Sequence, residues 1–359
     1  MRALLNLGSL LYGAAATRRR DWYSRDPTRR RRLRQPVVSV GNLRVGGSGK
    51  TPVVVALARL LVEHGQRPSV LSRGYGRPVA HDGVTVVSNG RTILAGVQSA
   101  GDEPLMLARA LPTVPVLVGA DRYLSGCLAE EQFGVNVHLL DDGFQHFALA
   151  RDVDLLVTGE EDLADRPMPA GRLREPLTVA AHADAALVSA SYAEAAARVG
   201  RALGLATVFR VARTTGVPRL VATRETVVVP SDEPVFAVAG IAAPERFFSD
   251  IASAGWKVVG TMAFRDHHAF TRRDVARIAA AARAAAATVV MTTEKDAMRF
   301  EDTVMEGVPI AAVPLTVTIE PAVEFERWLL ERIDAARDAH RPPRVLLQAS
   351  AIGDRADNR

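Results

Sequence analysis

Only one cysteine, Cys127, occurs in 359 residues, which excludes an intramolecular disulfide and a cysteine zinc site and leaves packing to supply stability. A reducing cytosolic setting fits that usage. Long apolar runs are missing too: nothing reaches the roughly 20 residues that a bilayer-spanning helix needs. The nearest approach, Ala3 to Ala16, is shorter and is interrupted by Asn6, Gly8 and Ser9. An all-round basic surface is also lacking. The formal charge is +5, yet the first 34 residues hold ten arginines against Asp21 and Asp26, so the remainder sits at about −3. A slightly acidic body without an aromatic basic groove excludes nucleic acid as the expected partner, and no obligate protein partner is evident.

What is present begins with that charged start. A short apolar helix followed by arginines (residues 1–34) suits an amphipathic membrane-interface segment, with leucines in the acyl boundary and guanidinium groups on anionic headgroups. A cleaved signal peptide fits less well, because the charge follows the apolar run. A helix packed on the protein's own body is the other reading.

Pro36 to Val40 is a short β-branched run, and Pro52 to Glu63 has helical apolar spacing. Between them lies Gly41-Asn42-Leu43-Arg44-Val45-Gly46-Gly47-Ser48-Gly49-Lys50-Thr51. A glycine-rich loop opening a helix lets backbone N–H groups close around phosphate, Lys50 reach the β and γ phosphates, and Thr51 ligate magnesium. Nucleotide contacts are expected from Gly46, Gly47, Ser48, Gly49, Lys50 and Thr51. Arg44 stands where a strict Walker A has its first glycine. ATP is favoured, since no guanine-specificity motif is found.

Strands and helices continue to alternate, as in an open α/β sheet whose ligands gather at the carboxyl ends of strands. Ser69 to Ser72 leads into Arg73-Gly74-Tyr75-Gly76, and Val135 to Leu140 runs into Asp141-Asp142-Gly143. Asp141 and Asp142 read as a Walker B pair that binds magnesium, with a plain turn as the bland reading. Arg73 and Tyr75 fall where they face nucleotide or sugar.

The loop with Thr51-Pro52, Ser72 to Gly76, Gly101-Asp102-Glu103-Pro104, Asp141 to His146, Leu173-Arg174-Glu175-Pro176, Gly240-Ile241-Ala242, Asp266-His267-His268 and Thr292 to Asp296 together resemble the tetraacyldisaccharide 4'-kinase family. The match runs in family order over nearly the whole chain. The resemblance implies transfer of the ATP γ-phosphoryl group to the 4'-hydroxyl of a tetraacylated glucosamine disaccharide 1-phosphate, the lipid A precursor, giving lipid IVA. It places the enzyme peripherally at the cytoplasmic face of the inner membrane of a Gram-negative cell. It makes Asp102 the base and His267 its partner, the choice over His268 resting on the motif alone. Arg174 would steady phosphate charge, and Glu175 would reach the magnesium shell. The cofactors implied are ATP and Mg²⁺. Two departures from the family pattern are the density of the arginine run and Arg265, which stands where proline is expected.

The expected architecture is an α/β, P-loop NTPase-like fold with a mostly parallel sheet flanked by helices and a second, smaller α/β domain. Residues 35–210 form the nucleotide-binding and catalytic domain, 211–232 an extended linker, 233–345 the smaller domain and 346–359 a tail. The competing class is a membrane-associated P-loop ATPase switch or chaperone. Such ATPases commonly carry an additional lysine early in the loop, whereas here Lys50 is the loop's only one.

Overall fold

Apolar runs without polar alternation, such as Val37 to Val40 and Val116 to Val118, form strands buried on both faces, as a helix-covered parallel sheet requires. The computed structural model describes residues 2–47, 49–74, 83–300 and 308–340. Ser48, Tyr75 and the expected tail lie outside the described residues.

The strands are β1 (Val37–Gly41), β2 (Pro68–Ser72), β3 (Val84–Asn89), β4 (Pro115–Gly119), β5 (Val137–Asp141), β6 (Val153–Gly159), β7 (Ala185–Ser189), β8 (Val208–Thr215), β9 (Arg219–Leu220), β10 (Pro234–Ala239), β11 (Lys257–Ala263), β12 (Val289–Thr293), β13 (Ile310–Val313) and β14 (Leu315–Glu320). The helices are α1 (Arg2–Ser24), α2 (Lys50–Glu63), α3 (Val97–Ala100), α4 (Asp102–Ala110), α5 (Arg122–Phe133), α6 (Ala193–Leu203), α7 (Pro244–Ser253), α8 (Arg272–Ala284), α9 (Glu294–Phe300) and α10 (Ala322–His340). The larger sheet has the order β14-β8-β7-β6-β1-β5-β2-β4-β3 and is parallel except at its edges, where β3 and β14 run antiparallel to their neighbours. The smaller sheet, β11-β10-β12-β13-β9, is parallel except for β9.

Register sets the site. Val40 of β1 lies opposite Asp141 of β5, and Leu71 of β2 lies opposite Leu140. The glycine loop, the aspartate pair and Ser72-Arg73 therefore leave the sheet side by side. Gly41 permits this crowding: a Cβ there would lie 2.4 Å from the Cβ of Phe144 and 2.6 Å from its backbone nitrogen. Beneath, Val53, Val54, Leu57 and Leu61 of α2 share one core with Val40, Val70 and Leu139 and with Phe325, Leu329 and Ile333 of α10.

That last contact corrects the expected domain bounds. β14 pairs with β8 over Thr215–Leu315 to Arg210–Glu320, and α10 packs on the larger sheet. The smaller unit is thus an insertion between residues 215 and 315, joined by an antiparallel ribbon. The stretch 211–232 is no simple linker, since it begins in β8 and contains β9. Antiparallel partners about a hundred residues apart leave no local trace in sequence.

At the other end, α1 lies along the body. Gly8 and Gly13 let it approach Pro169 and Pro176, where a Cβ would already be at 3.3 and 3.2 Å, and Ser9 Oγ donates to the Pro167 carbonyl at 2.5 Å. The interruptions in the apolar run are therefore the docking face. Leu4, Leu7, Leu10 and Leu11 stay exposed, Leu4 by 75%. No helix among the described residues is long and apolar enough to cross a membrane. The arginine run departs from the headgroup-facing expectation: Arg20 is buried, Arg31 and Arg32 pair with Asp121 and Asp152 at 2.6 Å, and Arg29 pairs with Asp26.

Candidate active site

Between the two sheets lies a cleft of about 1050 Å³ lined by the glycine loop, Arg73, Arg122, Asp141, Asp142, Arg174 and, across from them, Ala242, His267 and Lys295. Tyr12, Ala15, Ala16 and Arg19 of α1 complete the wall. The loop holds Gly46 and Gly49 at φ 100° and 77°, conformations that glycine adopts without steric cost. Gly49 caps α2 with no side chain on the first helical N–H groups, which makes that helix start an anion site. Arg44, in place of the expected glycine, turns aside to Asp162 at 3.4 Å.

Lys50 Nζ donates to Asn42 Oδ1 at 2.8 Å and lies 3.2 Å from Asp142. Arg174 Nη1 reaches both oxygens of Asp142 at 2.9 and 2.8 Å. Asp142 sits at φ 55°, a left-handed conformation costing on the order of 1 kcal/mol or more in a non-glycine residue. Burial opposes its ionisation, but Lys50 and Arg174 outweigh that and hold its carboxyl below the usual range. Asp141 behaves oppositely: burial, then the charges of Glu103 and Asp142, push it up to about 7. Two adjacent carboxylates thus split, one hydrogen-bonded to two cations and the other influenced by Lys50 only through its charge.

Glu175, expected at the magnesium shell, lines the same cleft and is held there by an arginine. It is 2% exposed, and Arg20 grips both of its oxygens, Nε to Oε1 at 2.9 Å and Nη2 to Oε2 at 2.6 Å. A buried carboxylate needs such a partner. Asp142 is likewise engaged by Lys50 and Arg174, so among the described residues Thr51 and Asp141 are the two expected magnesium residues in the cleft with no cationic side chain hydrogen-bonded to them.

Across the cleft the inserted unit brings His267 to Asp102, Nδ1 to Oδ2 at 3.3 Å. His267 is strained, at φ 58°. His268 turns away and meets Asp274 at 3.1 Å, which separates the two histidines. His267 lines the cleft, and Asp102 lies behind it with its side chain 13% exposed. Asp102 is the first residue of α4 and Gly101 is its cap.

Arg299 was not legible as a site residue. Its Nε donates to Asp102 Oδ2 at 3.0 Å, its Nη2 lies closer to the same oxygen, and Nη1 binds Asp296 at 3.3 Å. Lys295 joins the group, 3.3 Å from His267 Nε2 and 3.2 Å from Glu103. Scarcity was the available signal: only three lysines occur in the chain, at 50, 257 and 295, and two face this cleft. Arg122 was also missed. Burial, and then Arg73 beside it, lower this guanidinium to about 10, and its Nε has no hydrogen-bond partner among the described residues. A buried, incompletely satisfied cation at a cleft wall suits an anionic ligand.

Burial alone would raise the Asp102 carboxyl, but His267 and Arg299 outweigh it and bring it down to about 2 from an ordinary 3.8. A folded value below the unfolded one stabilises above about pH 4, and that stability, about 2 kcal/mol, is lost as the pH falls towards 2. Acid unfolding of Arg299→Met is expected to lack most of this step between pH 4 and 2. An undiminished step would rule out the clamp.

With this geometry described, comparison with known proteins identifies its kind. Residues 1–334 match the family model described as LpxK, tetraacyldisaccharide-1-P 4'-kinase. A tetraacyldisaccharide 4'-kinase of Syntrophus aciditrophicus is 36% identical over 91% of this chain and 92% of its own length. One from Koribacter versatilis is 38% identical over 89% and 95%. The crystal structure of LpxK from Aquifex aeolicus in complex with ATP aligns with a TM-score of 0.73 and 31% identity, covering 92% of this chain and 99% of that one. The chain therefore belongs to the tetraacyldisaccharide-1-P 4'-kinase family.

Proposed function

We propose that this chain phosphorylates the 4'-hydroxyl of a tetraacylated glucosamine disaccharide 1-phosphate at the expense of ATP, working from the cytoplasmic face of the inner membrane. The observation that carries the reading is the opposition, across one cleft, of a phosphate loop with Lys50 and Arg174 to the Asp102–His267 pair of the two domains.

Phosphoryl transfer demands positioning and charge neutralisation more than covalent help from the protein. The α2 N-terminus and Lys50 hold the ATP phosphates, and Arg174 steadies charge on the equatorial oxygens. The sugar oxygen attacks the γ phosphorus, the bond to the bridging oxygen breaks, ADP leaves, and the hydroxyl proton passes to the Asp102–His267 pair. The donor set suits magnesium, which takes one or two carboxylates with phosphate oxygens and water; the Asp141 carboxylate and the Thr51 hydroxyl line the same cleft. Thr51 and Asp141 would hold the ion, which when bound would neutralise the β and γ phosphates. The exposed leucines of α1 favour attachment at the membrane interface. Drawing four acyl chains out of a bilayer would cost about 0.8 kcal/mol per CH₂, so the enzyme must come to the surface.

The test is transfer of labelled γ-phosphate from ATP to the tetraacyldisaccharide 1-phosphate in detergent micelles. Labelled lipid is expected. ATP hydrolysis with no labelled lipid would sink the kinase reading and support the ATPase switch.

A further inference from the structure

A charged residue near the end of a membrane-facing helix would ordinarily be solvated, yet Arg20 is 2% exposed. Its guanidinium lies over Phe144 and Phe147, 4.3 and 4.7 Å from the ring centroids, and donates to the Phe144 carbonyl at 3.3 Å. The grip on Glu175 is two-pronged, the arrangement for which an arginine fork is shaped.

From Glu175 the contacts run on without a break. Gln145 Nε2 donates to Glu175 Oε2 at 3.1 Å and to the Asn42 carbonyl at 3.0 Å. The amide's other end, Oε1, accepts from Arg174 Nη1 at 3.2 Å, the same nitrogen that reaches Asp142. Asn42 in turn receives Lys50. Five links therefore connect the body of α1 to both cations expected on the phosphates.

We propose that Arg20 is a positioning residue for phosphoryl transfer: it fixes Glu175, which fixes Gln145, which aims Arg174 and steadies the Asn42 turn that receives Lys50. The N-terminal helix then serves the reaction as well as the membrane. A half-buried amide such as Gln145 can satisfy two acceptors and one donor at once only if all are held in place, and Glu175 stays in place because Arg20 neutralises it. The inference rests on the kinase reading for its rate measurement and on the hydrogen-bond geometry for the rest.

An anchor and a positioning residue differ in what they move. Loss of anchoring raises the KM for lipid in micelles, whereas loss of positioning lowers kcat. Removing Arg20 alone strands a buried carboxylate and destabilises the chain, which a merely structural role also predicts. The informative variant is therefore Arg20→Met with Glu175→Leu, which removes both charges and keeps an apolar filling. Full-length wild type and double variant are compared in thermal melting, ATP affinity and labelled-lipid kinetics. The expected result is a melting temperature near wild type, kcat lower by about tenfold or more, and a lipid KM within about twofold. Wild-type kcat in the folded double variant would overturn the proposal. Should that variant fail to fold, Arg20→Lys keeps the charge but loses the fork: a similar fall in kcat supports the proposal, and an unchanged kcat overturns it. If wild type labels no lipid, the kinase reading falls by itself, and weaker ATP binding by the double variant still supports the positioning role while unchanged binding overturns it.

Discussion

Asp102→Asn is expected to bind ATP and to transfer phosphate about 10² to 10⁴ times more slowly than wild type. The substitution is nearly isosteric, so the position in α4 survives, but the amide cannot take the hydroxyl proton. Nor can it hold His267 and Arg299 as the carboxylate does through Oδ2. His267→Ala should cost less, since the carboxylate and its arginine clamp remain. His268→Ala should leave turnover within about threefold, because His268 is engaged with the half-buried Asp274 at the start of α8 and the loss is that of one ion pair turned away from Asp102. Single-turnover transfer with labelled ATP separates these outcomes. An Asp102→Asn chain retaining more than about a tenth of the wild-type rate would remove Asp102 from the proton path.

The second large effect is expected at Lys50. Lys50→Ala should reduce kcat by about 10² to 10³, the usual cost of deleting a preorganised group that meets developing charge. Two consequences follow from geometry. Asp142 would be left to Arg174 alone, so its carboxyl should rise, and Asn42 would lose the donor on its Oδ1. Lys50→Arg should not rescue turnover, because a planar fork cannot replace a compact ammonium placed 2.8 Å from one amide oxygen. Turnover within about threefold of wild type in Lys50→Ala would mean that the helix N-terminus and Arg174 suffice for the phosphates.

The phosphate loop was readable from local order alone. A β-branched run, a glycine-rich turn ending in Gly-Lys-Thr, and a helical apolar period follow one another within about thirty residues, and each is decided by near neighbours. The structure places β1 at Val37–Gly41 and α2 at Lys50–Glu63. Near neighbours also decide the start of α8, where Thr271 closes a capping box with Asp274. The motif order also carried the family, and with it the kind of reaction.

Other features depended on residues far apart in the chain. Glu175 has a loop context that suits a metal ligand, but its partner stands 155 positions earlier, and only the fold shows the pair to be closed. Arg299 lies 197 positions from Asp102. Nothing in Ala297-Met298-Arg299 announces the clamp. The insertion between β8 and β14 is likewise a matter of pairing across the chain.

Sequence by itself determined the phosphate loop, the aspartate pair, the alternating α/β pattern and the amphipathic start, because each depends on periodicity and backbone chemistry over a few turns. Tertiary structure alone decided which carboxylates hydrogen-bond a cation and which do not, which histidine meets Asp102, where the second domain begins and ends, and that Arg20 turns inward. The physical reason is common to the three that involve charge. A buried charge is tolerable only beside its counter-charge, and here those partners are brought from distant parts of the chain by the packing of the two sheets and α1.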